Sequence, residues 1–300
     1  MTSVTVPAHS AQAPHAPAVA ARRARRALAI AVGVADVRRA PDASSELVTQ
    51  ALLGASAVPL ESSDSGWTRI RLVDYEGWAR DEQLAAPTRK AERVAVVAAT
   101  HTPLYTASRG AASEGEVFVT SLLPITATGQ RPASERVRVS LPGGRVAWVA
   151  ADAVEQRPAD DPYPLRGAAT AVALAKRLLD VPYLWGGVSQ RGIDCSGLAQ
   201  LACRAGGAII PRDADQQYEG MPFVVDRASV RLGDLVFFAD KGAITHVGIA
   251  LDNMALLHAS GSGEHVIITS LDPAEGGYGA RLAGMYAGAR RAFTEQSADR

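Results

Sequence analysis

A chain of 300 residues is longer than one small core needs, and length alone suggests two or three domains. Its 31 basic residues balance 31 acidic ones, so no whole-molecule field gathers nucleic acid or an anionic membrane surface. With 47% hydrophobic and 21% charged residues it reads as a soluble globular protein, and no stretch approaches the ~20 apolar residues of a membrane-spanning helix.

Residues 1–26 are rich in Ala, Pro, Ser and Thr and have no apolar period, which predicts a disordered arm ending in the charges of Arg22, Arg23, Arg25 and Arg26. The following ALAIAVGVADV resembles the apolar core of a secretory leader. Gly33 interrupts it, however, Asp36, Arg38 and Arg39 end it, and no small-residue cleavage site follows. A short strand accounts for it better. The expectation is a cytoplasmic protein, with secretion as the alternative.

From 27 to 157 short apolar runs (SAVPL, WTRIRL, VAVVAA, RVRVSL, RVAWVA) alternate with Gly, Pro, Asp and Ser clusters, the pattern of small all-β barrels or sandwiches. A repeat runs through this region. WTRIRLVDYEGWARDEQL (67–84) and RVRVSLPGGRVAWVAADAV (136–154) each carry an alternating strand, a turn, a Trp-bearing strand (Trp78, Trp148) and a polar exit. Both segments resemble bacterial SH3-like (SH3b) domains, which predicts one barrel over 27–90 and a second over 91–157.

After RPADDPYPL (157–165) the apolar period changes. GAATAVALAKRLLD (167–180) has the three-and-four spacing of an amphipathic helix. A Gly-rich loop follows, then a second helix opening at Cys195, then strands near 234–239, 244–251, 254–259 and 265–270. The last unit, 158–300, is therefore expected to be α+β.

Two cysteines make no disulfide framework and have no zinc spacing. Eight residues apart on one helix, Cys195 and Cys203 start ~12 Å apart along its axis, too far to bridge. Asp194 is a plausible N-cap, which puts Cys195 in the first turn. Unpaired N–H groups and the helix dipole there predict a lowered thiol pKa. Cys203, in mid-helix, reads as a core thiol. A thiolate nucleophile needs a proton acceptor, and His serves most often. Among six histidines, His9 and His15 lie in the arm, His101 lies among barrel strands, and His265 sits at a solvated strand end. His246 (ITHVGIAL) and His258 (MALLHAS) fall on successive strands that would bring the imidazoles together.

DCSGL, with PYLWGG before it and PRDADQQ, RLGDLVFF, THVGIAL and LLHAS after it, strongly resembles the papain-like NlpC/P60 cysteine peptidases over roughly 165–290. With two SH3-like barrels in front, the architecture is similar to γ-D-glutamyl-L-diamino acid endopeptidases acting on murein peptides. The resemblance implies a Cys195–His246–His258 triad, with Tyr183 helping a backbone N–H hold the oxyanion. It places Trp185, Asp194, Ser196, Arg212 and Asp213 along the substrate groove, Asp194 facing a substrate ammonium. Ala214 stands where the family commonly has Ser. The first barrel is expected to wall one end of the cleft and select a free N-terminal L-Ala, with Tyr75 contributing. Ala40 stands where an acidic partner is expected, and Asp42 is the nearby substitute. Each residue also has a plainer role: Asp194 and Ser196 as caps, Tyr75, Tyr183 and Trp185 as packing aromatics. Neither metal nor organic cofactor is implied, the partner is a murein peptide, and a monomer is favoured. The alternatives are action on polymeric wall, as a hydrolase or amidase, and a non-catalytic wall-binding protein.

Overall fold

The computed structural model describes residues 26–126 and 135–294. The arm expected over 1–26 lies, except for Arg26, outside the described residues. The first all-β unit has seven strands, Leu28–Ile30, Val34–Arg38, Leu47–Leu52, Ser56–Ser63, Trp67–Arg71, Glu76–Arg80 and Leu84–Ala85. Side by side they run third, second, sixth, fifth, fourth, first, seventh. Alternation along Glu76–Arg80 turns Gly77 and Ala79 inward and leaves Trp78 half-buried. Gly77 is required there, because a Cβ would fall 2.8 Å from the Arg38 carbonyl oxygen.

The second all-β unit also has seven strands: Arg93–Val97, His101–Tyr105, Ser113–Phe118, Leu122–Pro124, Arg136–Leu141, Arg145–Ala150 and Val154–Pro158. Third, second, sixth and fifth form one sheet, and fourth, first and seventh another. That is the order of the first unit broken at one seam, where a single Ile125–Val139 bridge replaces a ladder. The repeated hairpin is found in both units. Each Trp-bearing strand leads into a 3-10 turn (Asp81–Gln83, Ala151–Ala153) and a closing strand.

The C-terminal unit is α+β, with helices α1 (Ala168–Arg177), α2 (Cys195–Ala205), α3 (Ala214–Gly220) and α4 (Gly277–Gly284). Its antiparallel sheet runs in the order Val224–Val225, Tyr286–Arg290, Leu235–Asp240, Ala243–Ala250, Ala255–Ser260, His265–Ser270. The last strand of the chain thus inserts beside Leu235–Asp240, a placement that sequence periodicity did not predict. Helix α2 packs on α1 and on the strands Ala243–Ala250 and Ala255–Ser260. Leu174, Leu198, Phe237 and Leu257 share one apolar core with Leu52 of the first unit and Phe118 and Val119 of the second. Burying this common core holds the three units together.

Candidate active site

Asp194, with extended φ −97° and ψ 176°, caps α2, its carboxylate accepting from Gly197 N at 2.7 Å. Cys195 is therefore the first helical residue, and its N–H has no acceptor within the helix. The backbone N–H groups of Ser196 and of Val247, the residue after His246, hydrogen-bond the sulfur. The helix start nevertheless does not lower the thiol pKa as expected. Full burial, reinforced by the Asp194 charge, pushes it up to about 12 against the pull of those N–H groups and Arg212. Cys203 is buried in the common core and, like Cys195, is unbridged.

His246 and His258 come together across neighbouring strands. The ladder pairs Ile249 with Leu257, so the two histidines fall on one face of the sheet. His246 Nε2 lies 2.8 Å from His258 Nδ1, and His258 Nε2 lies 2.9 Å from Thr269 Oγ1. Nδ1 is then the nitrogen of His246 left for other partners. Burial lowers His246 to about 4, and burial beside His246 lowers His258 to about 3, so both rings are neutral near pH 7.

Behind the nucleophile lies a buried ion pair. Arg212, 1% exposed, donates from Nη1 and Nη2 to the two Asp194 oxygens at 3.0 and 2.7 Å, and also to Ser196 Oγ, Gly187 O and Thr49 Oγ1. Asp194 additionally accepts from Gly186 N, Gly197 N and Ser196 Oγ. A buried charge pair must be hydrogen-bonded this fully to be tolerated. Asp194, Ser196 and Arg212 are thus bound to one another at the start of α2. The carboxylate already takes five hydrogen bonds, and the guanidinium and the serine hydroxyl are buried against it. All three brace the start of α2. Gln217, fully buried on α3, donates to Ser196 O, Pro211 O and Arg212 O and ties that helix to the same point.

The first all-β unit supplies further parts of this lattice. Besides Thr49, Gln50 Oε1 accepts from Val188 N at 3.2 Å, and Asp74 accepts from Gln200 at 2.8 Å. Half-buried Tyr75 hydrogen-bonds Asp213, the N-terminal residue of the α3 capping box, and burial pushes the phenol up to about 12. Trp185 is 60% exposed, and its Nε1 donates to Glu46 at 3.2 Å. The loop ahead of Cys195 runs so close to this unit that a Cβ on Gly186 would fall 2.6 Å from Leu47 O. Asp42, the proposed substitute acid, accepts instead from Ser44 in its own turn, and the acids of this unit that meet the C-terminal unit are Glu46 and Asp74. Thr49, Gln50 and Glu46 escaped sequence analysis because their partners lie more than a hundred residues away, and Gln217 and Thr269 because no motif in the sequence marks their bonds to the start of α2 and to His258.

Tyr183 precedes Cys195 by a Gly-rich turn, and its ring lies over Gly261. Burial, with Cys195 and Asp194 nearby, raises its pKa, so the hydroxyl remains a proton donor. Ala214 opens α3. His101 Nδ1 meets Gln190 Oε1 at 2.6 Å, and His265 bridges Pro182 at the sheet edge. Among the described residues no three His, Cys, Asp or Glu side chains cluster as metal ligands, and no helix is long and apolar enough to cross a membrane.

Known proteins of similar sequence share this organisation. The NlpC/P60 family matches residues 180–286, and the bacterial dipeptidyl-peptidase SH3 domain matches residues 37–84. A γ-D-glutamyl-L-lysine dipeptidyl-peptidase of Bacillus cereus is 28% identical over 83% of this chain and 76% of its own. Dipeptidyl-peptidase 6 of Lysinibacillus sphaericus is 28% identical over 80% of this chain and 89% of its own. The crystal structure of an NlpC/P60 family protein from Bacillus cereus has the same fold, with a TM-score of 0.78 at 24% identity over 89% of this chain and 100% of that one. The chain thus matches the NlpC/P60 family over residues 180–286, with a match to a bacterial SH3 domain ahead of it at 37–84.

Proposed function

We propose that this chain is a cysteine peptidase that hydrolyses the γ-D-glutamyl–diamino acid amide of short murein peptides carrying a free N-terminal L-Ala. The observation that carries this is the contact of Cys195, at the first position of α2, with the backbone N–H of Val247, which directly follows His246 on the strand where His246 hydrogen-bonds His258. The relatives' names support the bond class, and the packing of Leu47–Leu52 beside the loop before Cys195 supports a closed, peptide-sized cleft. The second all-β unit, with the strand order of the first, is a second SH3-like barrel in this proposal, and the units divide near 90 and 157. The site of action is the cytoplasm, on peptides already released from the wall.

The chemistry follows from the hydrogen bonds. As Cys195 Sγ attacks the carbonyl carbon, the thiol proton passes to His246 Nδ1. The His246 Nε2–H donates to the His258 Nδ1 lone pair and steadies the imidazolium. The oxyanion is held by the Cys195 N–H and the Tyr183 hydroxyl. His246 Nδ1–H then protonates the departing amine, and water, deprotonated by the same nitrogen, releases the acyl group. Asp194 and Arg212 hold the helix start at which this happens. Tyr75 and Asp213 close the end of the groove and Trp185 lines it.

The test is incubation with L-Ala-γ-D-Glu-meso-diaminopimelate and its L-Lys counterpart, following L-Ala-D-Glu by mass spectrometry. The intact chain releases it, and Cys195→Ala lowers the rate by at least about a thousandfold. Acetylating the L-Ala amine slows cleavage at least tenfold. Activity surviving in Cys195→Ala overturns the mechanism. Equal rates on the acetylated peptide, or on polymeric wall, overturn the free-amine selection.

A further inference from the structure

The proton order along the histidine pair has a terminus that the triad does not contain. Neutral imidazole donates from one nitrogen and accepts at the other. For His246 to present a bare Nδ1 to the thiol, its Nε2 must carry the proton and donate to His258 Nδ1. His258 must then be protonated on Nε2, and that N–H needs an acceptor, since the ring is fully buried. Thr269 Oγ1, 2.9 Å away, is that acceptor. The reverse order would put a proton on His258 Nδ1 and another on His246 Nδ1, leaving the latter unable to take the thiol proton.

The fold holds Thr269 in place for this. Its strand pairs His258 with Ile267, so Thr269 is the diagonal neighbour of His258 on the same face. His246, His258 and Thr269 thereby form one row across three strands. Helix α4 closes over the end of the row. Its Tyr278 ring stacks on His258, 6.0 Å between centroids and 11° between planes. At Gly279 a Cβ would come 1.9 Å from Ser270 O and 3.2 Å from Thr269 Cγ2, so the helix backbone lies against the threonine itself. A β-branched side chain has few χ1 choices, and this contact restricts them further.

We propose that Thr269 is a positioning residue that fixes His258 in its Nε2–H tautomer, and through it makes His246 Nδ1 the proton acceptor for Cys195. This rests on Cys195, His246 and His258 being the catalytic set, but its first readout needs no substrate. In 15N-histidine-labelled protein near pH 7, long-range 1H–15N spectra report the protonated nitrogen of each ring. His258 signals are identified by their loss in His258→Gln. The expected result is Nε2–H on His258 in the intact chain and a shift toward Nδ1–H in Thr269→Val. That variant is isosteric and leaves the buried N–H without its acceptor. In turnover, Thr269→Val loses ten- to a hundredfold in kcat with KM changed less than twofold, while Thr269→Ser, which keeps the hydroxyl, stays within about threefold of the intact chain. An Nδ1–H tautomer in the intact chain overturns the proposal, and so does an unchanged tautomer in Thr269→Val. An equal loss of activity in Thr269→Ser overturns it as well, because the hydroxyl would then not be the operative group. If the intact chain cleaves no murein peptide, the proposed function fails while the tautomer measurement still decides this point. Should Thr269→Val not fold, the intact chain and Thr269→Ser decide it between them.

Discussion

Both all-β units pack apolar side chains against the peptidase domain, but only the first reaches the helix that begins at Cys195 through buried side-chain polar groups, while the second adds surface ion pairs and bonds to its backbone carbonyls. Thr49 donates nothing to the substrate, yet its hydroxyl accepts from Arg212, which holds Asp194, which caps the helix that begins at Cys195. Only side chains separate a strand of the first unit from the nucleophile. The second unit contributes Phe118 and Val119 to the common core and borders a cavity of about 160 Å³ lined by Val96, Val97, Val119 and Leu174. Its polar contacts are His101 to Gln190 and Glu116 to Arg191, at the turn of the hairpin Val188–Ser189/Gly192–Ile193, together with Glu155 to Arg166, Ala98 O to Arg177 and Thr120 O to the Tyr163 hydroxyl. Two units with the same strand order therefore do different work: the first sets the geometry of the site, and the second supports the domain that carries it.

The sharpest way to break this comparison is to remove the group on which the first unit acts. In Arg212→Met the Asp194 carboxylate stays buried without its counter-charge, and breaking such a pair costs about 3–5 kcal/mol. Denaturant unfolding is expected to show that loss, and activity falls with it because the helix start is no longer braced. Adding Asp194→Asn removes the orphaned charge and recovers part of the stability. Additive losses in the double variant would mean that the two side chains do not act as a pair.

A smaller effect is expected from the barrel side of the same bond. Thr49→Val keeps the shape but leaves Arg212 Nε unsatisfied in a buried site, a cost of about 1–3 kcal/mol. The change sits some 160 residues from Arg212 in sequence and belongs to another unit. Stability and kcat/KM are expected to fall together. If unfolding and turnover both match the intact chain, the first unit is a wall beside the cleft and no part of its framework.

The elements that carry Cys195, His246 and His258 were the most legible part of the sequence, and the framework between units the least. Cys195, His246 and His258 announced themselves because a cap, a first helical turn and two short strands are local patterns, each written in a few neighbouring residues. The pKa of the thiol was misjudged for the complementary reason. A helix N-terminus is local, but the burial that outweighs it comes from packing against Val247 and the strand it belongs to, which no spacing encodes. Arg212 and Asp213 read as polar groove residues in PRDADQQ. Which of them is buried depends on Thr49 and Asp194 arriving from elsewhere. The strand Tyr286–Arg290 escaped notice because YAGAR has neither alternation nor bulk, its place beside Leu235–Asp240 being fixed by tertiary pairing. The duplicated hairpin was legible because alternation sorts Ala147 and Val149 inward and Trp148 outward as it sorts Gly77, Ala79 and Trp78.

The mildest test sharpens the comparison from the other side. Glu116 of the second unit meets Arg191 at 2.6 Å, with the arginine side chain 58% and the glutamate 30% exposed. Exposed pairs are worth about 0–1 kcal/mol, because water screens them and ordering two long side chains opposes them. Glu116→Gln keeps the length of the side chain and one acceptor oxygen, so unfolding is expected to shift by less than about 0.5 kcal/mol and kcat/KM to stay unchanged. Arg191 lies only four residues before Cys195, so the result is not trivial. If this conservative change lowered turnover, the hairpin would be transmitting the position of the second unit to the nucleophile, and the division of labour between the two all-β units would collapse. If it does not, proximity in sequence counts for less at this site than the buried bond from Thr49, which reaches the same helix from far away.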